Sequence, residues 1–85
     1  MAFYQILFWQ DIPSQVKAWD DFDEVKIEMP PRFTVRIDQE AQAQGLVETD
    51  DYLQQWRWSE IMEREGAPEE VASAIRKELE ASAGD

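Results

Sequence analysis

Phe3-Tyr4-Gln5-Ile6-Leu7-Phe8-Trp9-Gln10 is the stretch that decides the fold. It is rich in aromatic and branched side chains and reads as a β-strand. Alternation puts Tyr4, Ile6 and Phe8 on one face and Phe3, Leu7 and Trp9 on the other. Both faces are apolar, which predicts a strand in the middle of a sheet, or one covered on both sides.

The signals spread outward from there. Asp11-Ile12-Pro13-Ser14 has turn chemistry, since Asp bonds its own backbone and Pro fixes φ. A second strand from Gln15 to about Trp19 then completes an antiparallel hairpin. Asp20 to Glu24 forms a polar loop or hairpin tip, and Val25, Ile27 and Met29 alternate with Lys26 and Glu28 as a half-buried strand. Pro30-Pro31 ends that strand, and Pro31 suits a first helical turn. Phe33, Ile37 and Ala41 then share one helical face up to a stop at Gly45.

Thr49 followed by Asp50 and Asp51 reads as a cap with an acidic first turn. A short helical turn near residues 50–53 is expected, then a strand from about Gln54 to Arg64, with Trp56 and Trp58 on one face. The last helix opens at Pro68, carries Glu69 and Glu70 at its positive end and displays a Val71, Ile75, Leu79 stripe. Gly84 and Asp85 are expected to fray. The order β-β-β-α-β-α predicts an α+β domain over residues 1–85. Its architecture is a two-layer sandwich, an antiparallel sheet of three to four strands with two helices on one face.

Composition narrows the chemistry. The chain has 85 residues, a net charge of −11, and neither Cys nor His. Disulfides and the usual zinc ligand sets are therefore excluded, and stability must come from packing. Four Trp, four Phe and two Tyr supply it, at roughly 150–250 Å² buried per aromatic. The negative field repels nucleic acid and anionic membrane surfaces, and its sharper reading is steering toward a basic protein. No basic n-region, long apolar run or spanning segment occurs, so a cytoplasmic location is expected.

No catalytic constellation emerges. Ser14, Ser59, Ser73 and Ser82 lack a His partner, and the glycines at 45, 66 and 84 are isolated. Asp21 and Asp23 have the spacing that opens a calcium loop. Its sixth and twelfth positions, however, hold Lys26 and Arg32, where Gly and Glu are required. No cofactor, metal or enzymatic activity is expected. The aromatics are the better lead. Beside Trp9, the indoles of Trp19, Trp56 and Trp58 strain what one thin core holds: each of the four reads either as core or rim of core, or as part of an exposed candidate partner-binding patch with Arg57 and Arg32. The expected partner is a protein or a second copy, docking through an aromatic sheet face or a sheet edge. The alternative is a small-molecule-binding accessory subunit of a metabolic enzyme, in one-carbon metabolism for instance.

Several segments together resemble a small bacterial domain family named "virulence factor". They are residues 3–9, Asp11 to Val16, Val25 to Phe33, Trp56-Arg57-Trp58, and Gly66-x-Pro68-Glu69-Glu70-Val71. The resemblance covers nearly the whole chain. It implies a domain that occurs alone or joined to larger helical-repeat proteins, with an association with virulence and no catalytic residues to carry over. Relatives place Gly after Trp-Arg-Trp, where this chain has Ser59.

Overall fold

The computed structural model describes residues 1–46 and 50–82. The Thr49 cap and the Gly84-Asp85 fraying lie outside the described residues. The described residues form five strands and three helices. In chain order these are β1 (Ala2–Trp9), β2 (Ile12–Trp19), β3 (Glu24–Glu28), α1 (Pro31–Ala43), α2 (Asp50–Gln54), β4 (Trp56–Trp58), β5 (Met62–Arg64) and α3 (Pro68–Ser82). The class is α+β with an antiparallel sheet, as the sequence predicts.

β1 is the central strand. It pairs with β2 on one side and with both β4 and β5 on the other, and β3 lies outside β2. The apolar character of both its faces follows from that position.

Two boundaries differ from the sequence reading. The hairpin turn is Gln10-Asp11, and β2 begins at Ile12, directly opposite Trp9. Gln10 takes a φ of 55°, the left-handed region that a primed two-residue turn needs. Two amide contacts hold its side chain there: Gln10 Nε2 donates to Gln44 Oε1 (2.8 Å) and Gln44 Nε2 donates to Gln10 Oε1 (3.0 Å). Pro13 sits inside β2 rather than in the turn. It is placed at a β-bulge, where the register skips Ser14 between Leu7–Gln15 and Phe8–Pro13, and a bulge is where a strand tolerates proline.

The second difference is the strand expected from Gln54 to Arg64. It is two short strands, β4 and β5, on the same edge of β1. Ser59 breaks it. Ile6 N–H donates to the Ser59 hydroxyl (2.9 Å), and Ser59 N–H donates to the Ile6 carbonyl (2.8 Å). Gln5 Nε2 donates to the Ser59 carbonyl (3.0 Å). A side-chain oxygen thus takes the place of a ladder carbonyl, and the main chain of residues 59–61 leaves the sheet.

The helices close the core. α3 packs on β1, β2 and β3. Its Val71, Ala72 and Ile75 join Ala2, Ile6, Val16 and Ala18 in the buried cluster. α1 packs on β2 and meets the hairpin turn through Gln44, with Phe33, Ile37 and Ala41 buried as the spacing predicts. It ends in a Schellman arrangement: Gly45 at φ 68°, with Gly45 N–H on the Gln42 carbonyl and Leu46 N–H on the Ala41 carbonyl. Arg32–Glu80 (3.7 Å) ties α1 to α3, and Arg64–Glu78 (2.6 Å) ties β5 to α3.

Candidate functional site

The register sorts the sheet side chains into two faces. Tyr4, Ile6 and Phe8 lie level with Ala18, Val16 and Pro13, and Val25 and Ile27 continue that row onto β3. This is the face α3 covers. The opposite face carries Phe3, Gln5, Leu7 and Trp9 of β1 and Trp19, Lys17 and Gln15 of β2. Lys26 of β3 and Trp56 and Trp58 of β4 complete it.

That second face is not uniform. At the hairpin end Trp9 is fully buried, 0% exposed. Tyr52 of α2 packs on it with ring centroids 5.5 Å apart, and the Trp9 indole N–H donates to the Tyr52 carbonyl (3.0 Å). Trp56 meets the same tyrosine edge-on at 6.3 Å and packs against the core. Further along, Trp58 is 43% exposed and Phe3 is 37% exposed. Phe3, Leu7, Trp19 and Trp58 do not belong to the core or to the shell packed against it.

Lys17 organises this open half. Its ammonium lies 5.2 Å from the Trp19 ring and 5.7 Å from the Trp58 ring, within cation–π reach of both. It also meets the Glu24 carboxylate at 3.7 Å. Phe3 stacks on Trp19, tilted, at 6.0 Å. Lys17 stands directly across from Lys26 in the β2–β3 register. Like charges there repel, and the rings and Glu24 draw the Lys17 ammonium toward themselves.

The six residues singled out by sequence therefore separate. Trp19 and Trp58 come together on the open face; Trp9 and Trp56 lie under α2. Arg57 projects to the other side of β4 from Trp58, over the Phe8 ring at 5.1 Å. Arg32 lies on α1 over Phe33 at 5.2 Å, beside Glu80. Lys17, Phe3 and Leu7 were missed. The only signal for Lys17 was its place two residues before Trp19, which puts both on one face of a strand.

The rest of the surface offers less. A hollow of 340 Å³, open to solvent, lies between Phe8, Asp11, Pro13, Arg36, Leu79 and Ser82. A neighbouring one of 210 Å³ shares Asp11 and Arg36. Among the described residues no group of three or more His, Cys, Asp or Glu could hold a metal ion. No described helix is long and apolar enough to cross a membrane. At the β2–β3 turn, Asp20 accepts hydrogen bonds from the N–H groups of Phe22 and Asp23, both at 2.8 Å. These bonds hold its carboxyl below the ordinary value. Asp20 is thus occupied in building the turn.

The protein is defined by these features as a small α+β domain whose sheet is covered on one face and half open on the other. The chain belongs to the Virulence factor family, whose model matches residues 7–84. Searches of the curated proteins and of the solved structures found no match.

Proposed function

We propose that this domain is a non-catalytic protein-interaction module that docks a partner on the open half of its sheet. The observation that carries this reading is the group Phe3, Leu7, Trp19 and Trp58, left outside the core around Lys17. Exposed apolar patches with a polar rim mark partner sites, and Trp is enriched among residues that dominate binding. Lys17, Lys26 and Glu24 supply the rim. The net charge of −11 favours the approach of a basic partner and speeds its association at low salt.

The test compares association of the wild type, Trp58→Ala, Trp19→Ala and Phe22→Ala with one co-purifying partner. Phe22 is the control: it is 90% exposed but sits at the tip of the β2–β3 turn, off the patch. Both Trp variants are expected to bind on the order of tenfold or more weakly, as hot-spot truncations do. Phe22→Ala is expected to bind as the wild type does. If Trp58→Ala retains full affinity, the patch is not the docking surface.

A further inference from the structure

β3 is an edge strand, and the hydrogen bonds at its two ends fix which of its backbone groups are free. Met29 N–H donates to the Ser14 carbonyl (3.0 Å), and Asp20 N–H donates to the Asp23 carbonyl (2.9 Å). Between them Ile27 faces Val16 and Val25 faces Ala18. Antiparallel ladders alternate bonded and non-bonded pairs. Residues 23, 25, 27 and 29 therefore bond inward to β2, and Glu24, Lys26 and Glu28 turn N–H and C=O outward. Among the described residues nothing pairs with that outer edge. The other edge is a poorer template, because β4 and β5 have three residues each and the chain leaves the sheet between them.

We propose that the outer edge of β3 pairs antiparallel with β3 of a second copy of this chain, about a two-fold axis through Ile27. The outward groups sit at even positions, so an even residue must face an even residue. A centre at Val25 also sets Glu24 against Lys26 twice, but it runs Glu28 of one copy into the turn at Phe22 of the other. A centre at Lys26 sets Lys26 against Lys26 and Glu24 against Glu28 twice, three like-charge pairs. A centre at Ile27 sets Lys26 against Glu28 of the second copy twice, with Ile27 facing Ile27 and Val25 facing Met29. Opposite charges directly across strands stabilise and like charges destabilise, so charge rules out the Lys26 register, and the turn rules out the Val25 one. Val25 and Ile27 are only half-buried under α3, and a sheet continued past β3 completes their cover. Charged side chains on an edge usually discourage pairing. Here their order along the strand is self-complementary in the register that the turn leaves open. The pairing runs through the backbone edge of β3 and not through the rings of the aromatic patch, although Lys26 and Glu24 also lie on the rim of that patch.

The test is sedimentation equilibrium over a concentration series. The wild type is expected to form dimers reversibly. Lys26→Glu and Glu28→Lys are each expected to weaken self-association roughly tenfold or more, because each creates like-charge pairs at the axis. An equimolar mixture of the two variants is expected to restore dimers, since each chain then meets the opposite charge. The double variant Lys26→Glu/Glu28→Lys is expected to restore them too. In the wild type, amide exchange at Lys26 and Glu28 is expected to slow as concentration rises. Circular dichroism verifies that each variant is folded. A wild type that stays monomeric at millimolar concentration overturns the proposal. So do single variants that dimerise as the wild type does, or a mixture that stays monomeric.

Discussion

Trp56 and Trp58 stand two residues apart on one short strand and point to the same side of the sheet, yet one is held against the core and the other is 43% exposed. Trp9 and Trp19 repeat the contrast at opposite ends of the β1–β2 hairpin. What separates the members of each pair is a single short helix. α2 lays Tyr52 over Trp9 and Trp56 and stops there. Side-chain type and strand alternation are the same in the two halves; only cover differs. A large aromatic therefore acts as core or as surface according to what the neighbouring element reaches.

The largest expected effect breaks the covered half. Trp9→Ala removes a fully buried indole, and urea unfolding should show a loss of about 3–5 kcal/mol. The corresponding change in the open half, Trp58→Ala, should cost under about 1 kcal/mol. It gives up partial burial and one exposed cation–π contact, worth roughly 0.5–1 kcal/mol. Equal losses in the two variants would erase the distinction between the halves.

Ser59 marks the point beside Trp58 where the edge strand ends. Ser59→Ala leaves the Ile6 N–H without its acceptor, and an unmet partly buried donor costs about 1–3 kcal/mol. Urea unfolding measures it, and an intermediate loss between those of Trp58→Ala and Trp9→Ala is expected. Ser59 thus has a structural use: its hydroxyl accepts the Ile6 N–H, a bond that glycine or alanine has no side-chain oxygen to take.

The smallest effect lies outside both halves and serves as their baseline. Phe22 and Asp23 N–H groups lower the Asp20 carboxyl, and Arg64 lowers the Glu78 carboxyl. Each folded value lies below its ordinary one, 3.8 for Asp20 and 4.5 for Glu78. The stabilisation is therefore complete above the ordinary values and is lost as pH falls through the lowered ones. Asp20→Asn and Glu78→Gln should each flatten the acid limb of a stability–pH curve slightly and leave its slope near neutral pH unchanged.

The legible parts of the fold were those set by local pattern. Alternation in residues 3–9 placed β1 centrally, the Phe33, Ile37, Ala41 spacing gave the buried stripe of α1, and Val71 and Ile75 gave that of α3. The Gln54–Arg64 strand was misread as continuous because its break depends on a hydroxyl bonding to Ile6, 53 residues away in sequence. The hairpin turn was placed too late, because Pro13 ordinarily marks a turn and here occupies a bulge. For the candidate site, composition put four indoles forward, and the structure divides them into Trp9 and Trp56, packed in or against the core, and Trp19 and Trp58, outside it.

By itself the sequence determined the class, the acidic surface and a supply of indoles larger than one core layer needs, because composition and periodicity are local properties. Which indoles go uncovered was decided by the tertiary structure alone. That outcome rests on the β1–β2–β4 register and on how far Tyr52 reaches, both of which join residues distant in the chain. The same register brought Lys17 between Trp19 and Trp58, and so turned two leftover aromatics into one surface.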